Sequence, residues 1–284
     1  MSDSNHDLNR RDFVCRTIGT GIAAAALPAR ADAIRTSAEG LEVGEVTVLA
    51  ADGFAVPAYR AAPAGKRGAP VVIVVSEIFG VHEYIADVAR RFARLGYFAI
   101  APDLFARQGD PGSYGEIDKL MSELVAKVPD AQVMGDLDAT LAWAAAQGAD
   151  TARLGITGFC WGGRITWLFC EHNPKVKAGV AWYGRLVGKP NPLQPHSALE
   201  LAAELKAPVL GLYGGADTGI PLDTLEQMKT ALAGGPPAAE KSEFHVYPEA
   251  GHAFHADYRP SYVRSAAEDG WQRCLAWFKA HGVA

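Results

Sequence analysis

Residues 153–170 constrain the fold of this chain more than any other stretch. Arg153-Leu154-Gly155-Ile156-Thr157 is short and apolar and predicts a buried strand. Arg164-Ile165-Thr166-Trp167-Leu168-Phe169-Cys170 predicts a buried helix. Between them, Gly158-Phe159-Cys160-Trp161-Gly162-Gly163 leaves room only for a tight turn. Glycine stands two residues to either side of one reactive side chain. This is the G-x-S-x-G spacing of a nucleophile elbow, with Cys in place of Ser. The nucleophile of such a turn has strained backbone, and a Cβ at either flanking glycine would collide with the adjacent strand or helix. The turn lifts the sulfur above the sheet. It also aims backbone N–H groups at the helix start, where the dipole favours negative charge. A glycine-rich turn around an inert, buried cysteine fits the same local pattern, so the rest of the chain has to decide.

Around this turn, strand and helix patterns alternate. Residues 42–48 and 54–59 alternate polar and apolar about Asp52-Gly53, predicting an antiparallel edge hairpin. Pro70-Val71-Val72-Ile73-Val74-Val75 is a continuous β-branched run, the mark of a strand covered on both faces. A helix over 83–95 follows, with Ile85, Val88, Ala89 and Phe92 on one face and Gly96 as its stop. Strands are predicted at 97–101, 176–183, 207–213 and 243–247, and helices at 117–128, 133–147, 224–232 and 266–281. The order predicts one α/β domain over residues 34–284, a mostly parallel sheet with helices on both faces. In such a sheet, ligands sit beyond the carboxyl ends of the strands.

Three reactive residues follow three different apolar strands: Cys160, Asp217 and His252. All three are therefore predicted at one edge of the sheet. Their chain order, nucleophile then acid then histidine, is that of α/β-hydrolases. His252 would act as general base and acid. Asp217 would fix the imidazole tautomer, and Cys160 would carry an acyl group. Taken singly, Asp217 also reads as a turn residue and His252 as an ordinary loop histidine.

The chain has 284 residues, 49% hydrophobic and 21% charged, with a net charge of −5 and no basic block beyond the leader, which argues against a nucleic-acid or anionic-membrane partner. Cys15, Cys160, Cys170 and Cys274 are widely spaced and suggest neither a zinc cluster nor a disulfide framework. Residues 1–33 read as an address. Asn9-Arg10-Arg11-Asp12-Phe13-Val14 resembles a twin-arginine export signal, followed by a weakly apolar run at 18–27 and a small-x-small site, Ala31-Asp32-Ala33. The apolar run is too short for a stable membrane span. The reading implies the export machinery as a partner and a periplasmic or secreted product; without a working leader the protein would be cytoplasmic.

Four motifs together resemble the dienelactone hydrolase family: Ser76-Glu77-Ile78-Phe79-Gly80, Ala101-Pro102-Asp103-Leu104-Phe105-Ala106-Arg107, the Cys160 elbow, and Gly251-His252-Ala253-Phe254. The resemblance runs from about residue 40 to 280 and implies a single-domain α/β-hydrolase fold. It implies a small ester or lactone substrate, no cofactor and no metal. It adds Glu77, which in the family holds the resting thiol near neutral until substrate displaces its carboxylate. It assigns the oxyanion hole to the N–H groups of Ile78 and Trp161, and a substrate carboxylate to Arg107. Glu77 alone also reads as a helix N-terminal charge, and Arg107 as a solvated surface charge. The family's second arginine, four residues after the histidine, is replaced here by Ala256, with Arg259 nearby but out of register. Three alternatives stay open: a same-fold esterase or thioesterase for uncharged substrates, a catalytically inactive binding module, and a metal site built from His252, His255 and Asp257.

Overall fold

The computed structural model describes residues 33–284; the twin-arginine motif and the apolar run after it lie outside the described residues. One eight-stranded sheet forms the centre, in the order β1-β2-β4-β3-β5-β6-β7-β8. The edge hairpin pairs β1 (Leu41–Leu49) with β2 (Ala55–Pro63) antiparallel about the Asp52-Gly53 turn. β2 joins β4 (Phe98–Pro102) antiparallel. Beyond it, β3 (Pro70–Val75), β5 (Asp150–Phe159), β6 (Val176–Trp182), β7 (Val209–Gly214) and β8 (Glu243–Tyr247) are parallel. Every residue of β3, β4 and β7 is buried, as their unbroken apolar runs require.

Five long helices cover the sheet: α1 (Glu83–Arg94), α2 (Asp130–Ala146), α3 (Trp161–His172), α4 (Leu222–Ala233) and α5 (Arg264–Ala280). The step from β3 to β4 moves one way across the sheet, and the steps from β4 to β5 and onward move the other way. Right-handed crossovers therefore place α1 on the opposite face from α2, α3 and α4. The closing helix shares the face of α1, where Phe92 packs on Trp271 and Phe278 at centroid distances of 4.5 and 6.1 Å. Ile85, Val88, Ala89 and Phe92 are fully buried on α1, the face that periodicity predicted.

One predicted helix is not continuous. Residues 117–128 form a short α turn (Ile117–Lys119), a π turn (Leu120–Leu124) and a 3₁₀ turn (Val125–Lys127). Leu120, Leu124 and Val125 are buried, while Ile117 and Met121 are 43% and 38% exposed. The change of pitch turns one set of apolar side chains into the core and leaves the other facing an open cavity. Pi turns of this kind often mark functional sites.

The register brings the carboxyl ends of the central strands level. Val75 pairs with Gly158, Phe159 with Trp182, and Trp182 with Leu212. Glu77, Cys160, Tyr183, Asp217 and His252 all follow those ends within a few residues.

Candidate active site

Cys160 is the residue between β5 and α3, with φ 55° and ψ −113°. That left-handed conformation is costly for any residue with a Cβ. The surroundings over-determine it. A Cβ on Gly158 would lie 2.1 Å from the Gly162 carbonyl oxygen, and a Cβ on Gly162 would lie 2.5 Å from the carbonyl oxygen of Val75. Both glycines are therefore required by close backbone approach. The Cys160 carbonyl accepts from the Gly163 and Arg164 N–H groups, which pins the turn to the helix start. Among non-glycine residues, Tyr183 (φ 39°) and Ala253 (φ 59°) also adopt left-handed backbone. They follow β6 and His252, and Tyr183 lines the same cavity as Cys160.

His252 Nδ1 donates to Asp217 Oδ2 across 2.7 Å. The carboxylate is buried and the imidazole is 38% exposed. A second hydrogen bond, from the Gly219 N–H to Asp217 Oδ1 at 2.8 Å, holds the carboxylate in place. With Nδ1 committed, Nε2 is left for the nucleophile side. Burial disfavours the imidazolium, but the Asp217 hydrogen bond and the Cys160 sulfur outweigh it and push His252 up to about 10. Burial also opposes the Asp217 carboxylate; the bond to His252 and the backbone N–H groups win, holding it below its usual range. No hydrogen bond of ordinary geometry joins Cys160 to His252 among the described contacts, and such contacts are commonly loose before substrate binds.

Glu77 is 1% exposed. Its Oε2 accepts from the Tyr258 hydroxyl at 2.7 Å, while Oε1 is buried without a partner. Burial raises its pKa, against the opposing pull of Arg259 and the Tyr258 hydroxyl. Tyr258 was not singled out by the sequence, because 181 residues separate it from Glu77. The repeated aromatics of Tyr258-Arg259-Pro260-Ser261-Tyr262, just after the histidine motif, were the available signal.

Cys160, Asp217 and His252 line one cavity of about 500 Å³, together with Ile78 and Trp161. The Trp161 N–H opens α3 and has no intrahelical acceptor. The Ile78 N–H donates to no backbone carbonyl among the described turn and loop contacts. Ile78 and Trp161 thus share the cavity wall with Cys160.

Arg107 departs from its expected place and does not line this cavity. It bonds Asp52 at 2.6 and 3.1 Å and Asp136 at 2.6 and 3.3 Å, and stacks on Phe54. Two carboxylates take four of its five N–H donors, so it ties the edge hairpin to α2 and its charge is already paired twice over. Arg259 also lies off the cavity wall, with its guanidinium over the Phe79 ring. His255 and Asp257 diverge from His252. His255 is buried with Nδ1 2.6 Å from the Tyr84 hydroxyl, and Asp257 is ion-paired to Arg91. Cys170 and Cys274 are unpaired and buried, and burial pushes both thiols up, away from the reactive form.

A family model described as "Dienelactone hydrolase family" matches residues 56–282. A protein of Methylorubrum extorquens named "Putative carboxymethylenebutenolidase" is 58% identical over 279 residues, covering 98% of this chain and 94% of its own. A protein of the same name from Salmonella typhimurium is 53% identical, covering 93% of this chain and 96% of its own. A crystal structure from Klebsiella pneumoniae, titled a "Putative Dienelactone Hydrolase", superposes with a TM-score of 0.81 at 55% identity, over 84% of this chain and 98% of that one.

Proposed function

The chain belongs to the dienelactone hydrolase family, and from that premise we propose that it is a carboxylic-ester hydrolase that cleaves a small ester or lactone through a Cys160 acyl-enzyme. The observation that carries the reading is the 2.7 Å bond from His252 to Asp217 on the wall of the cavity that also exposes Cys160.

The steps follow from the groups present. Glu77 is the carboxyl that keeps the resting thiol near neutral, and its unpaired Oε1 is the atom available for that contact. Substrate entry turns this carboxyl away, and the thiol proton passes to His252 Nε2, leaving a thiolate. The sulfur attacks the carbonyl carbon, and the oxyanion forms between the Ile78 and Trp161 N–H groups. Each such donor contributes about 3–4 kcal/mol to the transition state. His252, charged and braced by Asp217, gives its proton to the departing alkoxide oxygen, and the C–O bond breaks. A thioester to Cys160 remains. Neutral His252 then takes a proton from water, whose oxygen attacks the thioester carbon. Sulfur leaves and recovers the proton, and a carboxylic acid is released.

Hydrolysis of a small ester panel by the wild type, Cys160→Ala and His252→Ala tests this. Turnover by the wild type, lost by at least about a thousandfold in both variants, supports it. Full activity in Cys160→Ala refutes the triad, and a wild type that turns over no ester points to a silent binding module. The leader is read in the same spirit as a twin-arginine export signal that delivers residues 34–284 to the periplasm.

A further inference from the structure

The cavity is not uniform. On one side it is apolar, built from Ile117, Met121, Val125 and Ile220. Ile117 and Met121 are among the few large hydrophobic side chains left exposed among the described residues. The segment after β6, which Gln194 ties to the Val125 and Val128 carbonyls, lines the same cavity with Arg185 and Lys189. In a chain of net charge −5, the pairing of Arg185 and Lys189 on one wall runs against the whole-molecule balance.

The pairing of these cations separates them from the structural ones. Arg164, also on the cavity wall, is held by two 2.7 Å bonds to Asp130 and a third bond to the His196 carbonyl. Arg107 is neutralised by two aspartates. Arg185 and Lys189 are exposed and enter no ion pair and no side-chain hydrogen bond among the described residues. The acidic residue on the cavity wall, Asp217, is occupied by His252. The charges of Arg185 and Lys189 are therefore unpaired among the described residues.

Resting on the hydrolase reading above, we infer that Arg185 and Lys189 are specificity-determining residues that hold an anionic group of the substrate. The scissile ester or lactone lies at Cys160, an apolar body lies against Ile117 and Met121, and the anion, a carboxylate, lies at Arg185 and Lys189. A guanidinium offers a paired-donor fork to a carboxylate, and an ammonium adds a mobile point charge. A cavity of about 500 Å³ falls in the range that encloses ligands of drug size, so it has room for an acyl chain that ends in a carboxylate. The anion clamp has thus moved from the Arg107 segment to the segment after β6.

The test uses two acyl esters of equal length, p-nitrophenyl octanoate and the mono-p-nitrophenyl ester of suberic acid, which differ in a terminal carboxylate. The readout is the ratio of kcat/KM for the acidic ester to that for the neutral one. The wild type is expected to prefer the acidic ester. In the double variant Arg185→Met/Lys189→Met this ratio falls by about tenfold or more, and the wild-type ratio falls as salt is raised toward 1 M, since rim charges are screened. A ratio unmoved by the double variant or by salt overturns the inference while leaving the hydrolase reading intact. Hydrolysis of both esters by Cys160→Ala would instead overturn the Cys160 acyl-enzyme reading. Both substituted residues are exposed, so an unchanged melting temperature verifies that the variant is folded.

Discussion

Tyr258→Phe deletes one oxygen and nothing else, and the structure fixes what that oxygen does. It donates to Glu77 Oε2 at 2.7 Å, while Glu77 Oε1 already lacks a partner and the residue is 1% exposed. The variant leaves both carboxyl oxygens buried and unpaired. Leaving a buried acceptor unsatisfied costs about 1–3 kcal/mol. For a domain of this size, each kcal/mol lowers the melting temperature by about 2–4 °C. The pH dependence is more diagnostic. Burial raises the Glu77 pKa above 4.5, and the Tyr258 hydroxyl partly offsets that rise, so its loss raises the value further. A carboxyl with a raised folded pKa makes the native state bind the extra proton. Stability from this group therefore falls as pH climbs from about 4.5 through the folded value. In Tyr258→Phe the fall continues to higher pH, so the gap to wild type widens from pH 4.5 to pH 8. Urea unfolding at both pH values, on wild-type and Glu77→Gln backgrounds, measures it. A gap independent of pH, or one undiminished on the Glu77→Gln background, would show that Tyr258 does not act through this carboxyl.

Other perturbations follow from the same geometry. His252 sits at about 10, in part through Asp217, so the high-pH limb of kcat/KM falls near that value and moves down in Asp217→Asn; a limb that stays put argues against the pair. The same raised value means that its stabilisation is fully present below about 6.5 and is lost as pH rises through about 10, which alkaline thermal melts follow. Gly158→Ala forces a Cβ to within 2.1 Å of the Gly162 carbonyl oxygen, costing about 1–3 kcal/mol or more and displacing the nucleophile; chemical denaturation and ester turnover both register it. Replacing Arg10 and Arg11 by Lys leaves an uncleaved precursor inside the cell on the export reading, whereas fractionation that finds mature protein in the periplasm contradicts it.

The mostly parallel, twice-covered sheet was legible because β-branched runs such as 70–75 mark a strand buried on both faces. The placement of Cys160, Asp217 and His252 on one edge followed from each coming just after an apolar run. What was illegible depended on distant partners. Arg107 resembles a substrate-binding arginine in its own motif, yet Asp136 and Asp52, 29 and 55 residues away, claim its guanidinium. The 117–128 helix breaks because Leu120 and Leu124 face the core while Met121 faces a cavity that the local sequence does not reveal. Arg185 and Lys189 stood in a loop with no periodicity, where only the fold assigns a neighbour.

The direct measurement of a Cys160 acyl-enzyme is intact-mass spectrometry of protein quenched during turnover of a slow ester. Because Cys170 and Cys274 are buried, the account predicts one added acyl mass, mapped to the peptide containing Cys160 and absent from Cys160→Ala. An acyl group on any other residue, or undiminished hydrolysis by Cys160→Ala, would contradict it.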